Sequence, residues 1–339
     1  MRCPSNSSLD LIVRQFKSLK TLRNFKEEGI IIVSYDIVVV GSLVVDLPVY
    51  LSHSPHLGET IVAKDSHVFP GGKGLNQAVQ AFKLGARVFF VGPIGPDPLG
   101  AFMQHALDDI GLKDRILLMT DTITSYAVPV ITPDSHYIIH VPGANQRITA
   151  EDLLTFRNSW PQSRILLLQG ELTEAANMTA IALMRHMNPL ILLDPSPVEH
   201  ISDALIQSSH ILTPNQEELS QLALRYGWTS QNPLWIAQQL LARFSNLHAV
   251  VATQGREGII LVTRDHTHHI PALSIEEKDP TAAGDAFNGA CAYALSQGDS
   301  LYNACVFANT VGAYAASHLG AVTSLPSWND LKIFSSQGN

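Results

Sequence analysis

Residues 279–291 read DPTAAGDAFNGAC, and the chain is organised around them. Asp279, Pro280 and Thr281 do not begin a comfortable helix, while Ala282, Ala283 and Gly284 are small enough to admit a ligand to the backbone. From Asp285 the pattern turns helical. Ala286, Phe287, Ala290, Cys291, Ala294 and Leu295 share one apolar face, and Gly298 stops it. Residues 282–285 are therefore expected at a helix N-terminus, where unpaired N–H groups and the helix dipole favour an anion. Asp285 then stands as a general base beside an anion site, a pairing that suits phosphoryl transfer. An Asp N-cap on an ordinary amphipathic helix has the same spelling.

A second stretch, GGKGLNQA at 71–78, repeats the design. A glycine-rich turn leads into a helix with Leu75, Ala78, Val79 and Phe82 on one face, ended by Gly85. Gly71, Gly72 and Gly74 permit close backbone approach. Lys73 adds positive charge, and Asn76 and Gln77 add hydrogen bonds. The stretch is not a P-loop, because Gly74 follows Lys73 and His67 holds the first position of that pattern.

Together the two stretches resemble the paired signatures of the ribokinase-like (pfkB-type) carbohydrate kinases. TPNQEE at 213–218, TQGREG at 253–258 and VPGANQ at 141–146 agree, so the resemblance spans roughly residues 36–332. It implies an α/β fold of three layers, with a mostly parallel central sheet and a small β-sheet lid. It also implies an ATP-dependent kinase acting on the primary (5-)hydroxyl of D-ribose or a similar pentose. Deoxyribokinase, fructokinase and nucleoside kinase activities are alternatives within the family, and a non-catalytic sugar- or nucleotide-binding regulator is an alternative outside it.

Residue by residue, the resemblance makes Asp285 the base and Ala282, Ala283, Gly284 and the Asp285 N–H the anion hole. Asp46, Gly72, Lys73, Asn76 and Glu171 become a sugar clamp, where carboxylates and an amide meet hydroxyls that both donate and accept. Asn215 and Glu218, an N-x-x-E on a first helical turn, organise Mg²⁺ and phosphate, or simply cap their helix. Thr253, Gly255, Gly258 and Asn309, with Gly284, form the nucleotide site. Asp279, Thr281, Gly320 and Ser324 hold a monovalent cation such as K⁺. Val44 departs from the family, which typically has Asn there. Lacking that hydrogen bond, the site should tolerate a missing hydroxyl better, which brings 2-deoxyribose forward.

The bulk properties agree with a cytoplasmic enzyme. A net charge of −8 argues against general nucleic-acid or membrane binding, so phosphate must be held locally. Cys3, Cys291 and Cys305 are widely spaced and odd in number, which fits no disulfide framework. Residues 1–35 form an extension of unassigned role. Leu11, Ile12, Phe16, Leu19, Leu22 and Phe25 could make a basic amphipathic helix, and a transit peptide would look similar.

Along the chain, residues 36–44 are a continuous apolar run, as expected of a buried parallel strand with Asp46 beyond its carboxyl end. The segments at about 47–70 and 122–142 have short β-prone pieces and no βαβ rhythm. They read as an inserted lid, and the resemblance adds a homodimer contact through it. Strands at 87–92, 164–169, 190–193, 210–212 and 248–252 alternate with helices at 99–110, 174–187, 214–226, 233–244 and 301–319. Such alternation means a largely parallel sheet with helices on both faces. Residues 259–262 and 269–273 read as antiparallel edge strands, and 333–339 as a C-terminal tail. His266, His268 and His269 admit a metal site or an exposed edge hairpin, and the hairpin reading is the stronger.

Overall fold

The computed structural model describes residues 34–336. The amphipathic pattern of residues 11–25, and Cys3, lie outside the described residues. The apolar run becomes β1 (Ser34–Val40), buried from Ile37 onward. It is followed by β2 (Val44–Asp46), β3 (Val49–Tyr50), β4 (Asp65–Ser66), β5 (Phe69–Gly71) and α1 (Lys73–Lys83). Next come β6 (Val88–Ile94), α2 (Pro98–Ile110), β7 (Arg115–Met119), β8 (Tyr126–Ile131), β9 (His136–Val141) and α3 (Ala150–Thr155). The middle of the chain gives β10 (Gln162–Gln169), α4 (Glu174–Met184), β11 (Leu190–Asp194), α5 (Asp203–Gln207), β12 (Ile211–Leu212), α6 (Gln216–Arg225) and α7 (Pro233–Arg243). It ends with β13 (Ala249–Thr253), β14 (Ile259–Thr263), β15 (Thr267–Ile270), α8 (Ala283–Ser296), α9 (Leu301–Ala316) and α10 (Trp328–Ser336).

Nine strands form one sheet in the order β15-β14-β13-β12-β11-β10-β1-β6-β7, parallel from β13 to β7, with β14 and β15 antiparallel at one edge. Successive residues of β1 face opposite layers. Ile37 and Val39 pack with Leu75, Met103, Ala290, Val311 and Leu331, so α1, α2, α8, α9 and α10 cover one face. Val38 and Val40 pack with Leu153, Ala180, Leu205, Leu222 and Leu240, which puts α3 to α7 on the other. The order of connection reverses at β1, between β10 and β6. In open α/β sheets ligands bind beyond the carboxyl ends of the strands at such a switch point. The second sheet has the order β4-β3-β8-β2-β5, with β9 paired to β8.

The structure redraws several boundaries. The run expected as one strand over 36–44 is divided: β1 ends at Val40, and Val44 to Asp46 belong to the second sheet. Apolar content does not separate the two sheets, because Leu43, Val44 and Val45 are buried as well. The strand β7 went unanticipated; as an edge strand it buries only alternate residues. β15 begins at Thr267, two residues before the expected start. The expected tail at 333–339 is helical through Ser336, because Phe334 is buried and packs edge-on against Tyr314. No helix among the described residues is long and apolar enough to cross a membrane.

Candidate active site

The helix expected at DPTAAGD is α8, and its first turn is unusual. Its N-cap is Ala282, held at φ 60°, and no side chain caps it. The Ala283 N–H is donated to the Pro280 carbonyl at 3.1 Å, which narrows the expected anion hole. Among the described residues no hydrogen bond takes the N–H of Gly284 or Asp285. A Cβ added at Gly284 would meet nothing within 4 Å, so this mouth opens onto free space.

Asp285 is not the cap that its spelling allowed. Its side chain turns inward and is buried. One carboxylate oxygen accepts Asn76 Nδ2 at 2.9 Å and the other accepts Gln77 Nε2 at 3.0 Å. Burial raises its pKa, while the Lys73 ammonium and the two amides pull the other way without cancelling the rise. The result is an ionisable acceptor whose two oxygens are fixed by donors that cannot protonate it.

The GGKG helix, α1, begins at Gly72 with φ 99° and also lacks a cap of its own. Its mouth is closed from elsewhere. Lys73 N–H donates to Glu171 Oε2 at 3.0 Å, Gly74 N–H to Ser42 Oγ at 3.2 Å, and the Ser42 hydroxyl to Glu171. A Cβ at Gly74 would lie 2.4 Å from the backbone of Gly41 and Ser42, so only glycine lets α1 dock on the end of β1. Lys73 Nζ lies 3.5 Å from Asp194 Oδ2. Removal from water would lower its pKa, but Asp194, Asp285, Glu218 and Glu171 hold it charged and raise it instead. Asp46 stands beside this group on β2; burial, and then the charge of Glu171, push its pKa up to about 7. Asn76 Oδ1 is buried and accepts no hydrogen bond among the described residues. Val44 is buried in the same strand as Asp46 and offers no polar atom.

On the other side of Ala283 and Gly284 lies a cleft of about 800 Å³ whose walls include Asn215, Thr253, Gly255, Gly258 and Asn309. All the residues expected at the nucleotide site therefore meet in one place. Gly258, at φ 92°, could not carry a Cβ, which would lie 2.1 Å from the Ile270 carbonyl. Asn309 Nδ2 is tied to the Pro271 carbonyl at 2.8 Å as part of the wall.

Asn215 and Glu218 form a reciprocal capping box on α6, at 2.8 and 2.9 Å. The capping alternative is thus real, yet Glu218 is also buried and acts on Lys73 electrostatically. Asp279 accepts the N–H groups of Thr281 and Gly320, both at 2.9 Å. Partial burial would raise its pKa, but these bonds outweigh it and keep the carboxylate ionised. The Ser324 hydroxyl instead bonds the Ala321 carbonyl at 2.8 Å.

Sequence reading left Asp194, Ser42 and Gln169 unassigned and used Gln77 only as a general donor. Asp194 ends β11 and follows the same carboxyl-end rule that placed Asp46. Ser42 and Gln169 carry no sequence signal. Of the histidine tract, the His266 and His268 rings lie 6.2 Å apart with His268 against Tyr302, while His269 turns away, its Nε2 2.8 Å from the Glu257 carbonyl. Cys291 and Cys305 are free and buried, as small core residues should be.

The geometry now has a family to stand in. The pfkB family of carbohydrate kinases matches residues 34–328, and the chain belongs to it. It is a phosphotransferase that acts on a sugar hydroxyl. Within the family it is similar to ribokinases, among others. The Bacillus subtilis ribokinase is 30% identical over 299 residues, covering 88% of this chain and 98% of that one. The Thermotoga maritima ribokinase structure superposes with a TM-score of 0.82 at 31% identity, over 89% of this chain and 99% of that one. The Arabidopsis thaliana ribokinase, complexed with ribose and ATP, gives a TM-score of 0.78 at 29% identity, over 89% and 99% of the two chains.

Proposed function

We propose that this kinase transfers the γ-phosphate of ATP to the primary hydroxyl of D-ribose or a closely similar pentose, with Asp285 as general base. The observation that carries the reading is the pairing at α8: an inward, amide-held carboxylate beside N–H groups that nothing in the described chain engages. Asp285 takes the proton of the hydroxyl as its oxygen attacks the γ-phosphorus. The bond to the β,γ-bridging oxygen breaks, and ADP leaves along the cleft. The Gly284 and Asp285 N–H groups meet the charge that develops on the transferring group. Asp46, Asn76 and Glu171, with the Gly72–Lys73 turn, hold the sugar.

Mg²⁺, which neutralises phosphate charge when bound, would be held largely through water by Glu218 with Asn215. Among the described residues the Glu218 side chain accepts a hydrogen bond on Oε2, which leaves Oε1 for that role, and Mg²⁺ asks for few carboxylates. Asp279, kept ionised by the N–H groups of Thr281 and Gly320, is the carboxylate this reading gives to a monovalent cation such as K⁺, with Thr281, Gly320 and Ser324 as the other ligands. In the same reading the second sheet is a lid and the contact of a homodimer. Tyr137, Ile138 and Ile139 of β9, exposed at 44, 63 and 54%, support this. The two free thiols support a cytosolic setting.

Val44 favours a second substrate, 2-deoxyribose. An apolar side chain in the strand of Asp46 gives no hydrogen bond for a lost hydroxyl to forfeit. A coupled assay of ADP release across ribose, 2-deoxyribose, fructose and nucleosides tests the whole reading. Sugar-dependent turnover with ribose or deoxyribose is expected, and turnover with neither would overturn it. Val44→Asn should move the preference toward ribose by about 10-fold or more.

A further inference from the structure

Asp194 has no role in the transfer as described, yet it sits behind both halves of the machinery. It is 3% exposed, at the carboxyl end of β11. Its Oδ2 accepts Gln77 Nε2 at 2.8 Å and lies 3.5 Å from Lys73 Nζ. The same Gln77 nitrogen gives its other hydrogen to Asp285 Oδ1 at 3.0 Å. Gln77 Oε1 in turn accepts Gln169 Nε2 at 2.8 Å. The Gln77 amide is thus braced on three sides. Turned over, it would set its oxygen against two carboxylates and its nitrogen against a donor.

We propose that Asp194 is a positioning residue: through Gln77 it fixes the Asp285 carboxylate, and directly it fixes the Lys73 ammonium. A buried carboxylate is costly, and this one is neither a cap nor part of the cleft wall. Its use lies in holding a base and a cation in one frame, since misplacement of about 1 Å costs roughly 10²-fold in rate. The inference rests on Asp285 being the base.

The groups facing Asp194 set its electrostatic effect. Lys73 and Gln77 come from α1, Glu218 from α6, Asp285 from α8, and Glu171 follows β10, so one cation answers several carboxylates. Removing the Asp194 charge relieves Asp285 of a negative neighbour and leaves Lys73 less neutralised. Both changes favour the ionised form of Asp285.

The test is kcat against pH, at saturating sugar and ATP so that titration of Asp46 in sugar binding does not enter, for wild type, Asp194→Asn and Asp285→Asn. Asp194→Asn should lower kcat about 10-fold or more, leave both KM values less affected, and move the acid limb to lower pH. A purely structural lesion lowers kcat without moving the limb, and that result, or a wild-type kcat, overturns the proposal. Should Asp194→Asn not fold, Gln169→Met removes the brace on Gln77 and leaves every charge in place. Its kcat should fall about 10-fold with KM unchanged, and wild-type turnover there counts equally against the idea. Asp285→Asn separates the two failures. If it retains turnover, the base assignment itself is wrong; if it loses turnover while Asp194→Asn behaves as wild type, only the positioning role falls.

Discussion

The mouths of α1 and α8 are built alike and finished differently. Each starts from a residue with positive φ, Gly72 or Ala282, and neither has a side-chain cap of its own. The other described α-helices are capped from within, for example α2 by Asp97, α6 by Asn215 and α9 by Ser300. At α1 the missing cap is supplied by Glu171 and Ser42, so the mouth becomes a rigid wall. At α8 the described residues supply only the Pro280 carbonyl, to Ala283, and leave the Gly284 and Asp285 N–H groups open, while Asp285, the carboxylate nearest to hand, turns inward to amides on α1. A filled helix N-terminus serves stability, and in the proposed function the open one serves chemistry. The carboxylates divide the same way. Partial burial would raise Asp97, but the N–H groups and hydroxyl it accepts outweigh this and hold it low; in Asp285 burial prevails.

The largest effect should come from exchanging the two kinds of carboxylate. Asp285→Asn should lower kcat about 10³-fold without lowering the melting temperature, because it removes a buried charge. Asp97→Asn should leave kcat unchanged and cost about 1 kcal/mol of stability, read from denaturant midpoints. A comparable loss of kcat in both variants would break the comparison. Asp46 sharpens it through pH. Its folded pKa of about 7 lies above the ordinary 3.8, so the folded state keeps a proton that the unfolded state gives up between those values. Stability should therefore fall as pH rises through that window, and Asp46→Asn should reduce the fall by up to about 4 kcal/mol at pH 8, with Asp194 and Asp285, also raised by burial, keeping the remainder. Asp97 carries the opposite sign: its contribution is present above its unfolded pKa and is lost as pH falls through the folded one. Melting curves of the free protein from about pH 2 to 8 check both, since the loss from Asp97 falls below its ordinary 3.8.

Much of this contrast was legible in the residues. Two small-residue turns followed by 3.6-fold apolar faces gave α1 and α8 and placed Asp285 near a helix mouth. Alternating strands and helices gave the parallel sheet, because a strand buried on both faces reads as an unbroken apolar run. What the run could not say was where one sheet ends and the next begins: Val44 is as apolar in the second sheet as Val40 is in the first. Nor could it show that Asp285 turns inward, since that depends on Asn76 and Gln77, over 200 residues away along the chain. Glu171 was legible as a strand-end carboxylate, whereas its closure of α1 follows only from the docking of β10 beside β1. Residues that act through side-chain braces, such as Gln169, have no periodicity to betray them.

The smaller effects discriminate most finely between an open mouth and an unfinished one. Gly284 lies within the first turn of α8, with open space where its Cβ would be. Gly284→Ala should therefore fold at least as well as wild type, with a gain of up to about 1 kcal/mol from reduced chain entropy. The added methyl group stands where an anion must approach the N–H groups, so kcat should fall about 10²-fold, the cost of spoiling one oxyanion donor. Ser300→Ala makes the complementary change on α9, where the hydroxyl accepts the Asn303 N–H at 3.3 Å. It should cost about 1 kcal/mol of stability and leave kcat where it was. The pair therefore crosses: one variant loses rate and keeps stability, the other loses stability and keeps rate. If Gly284→Ala instead turns over like wild type, the α8 mouth is only a helix without a cap, and the phosphate must be met elsewhere.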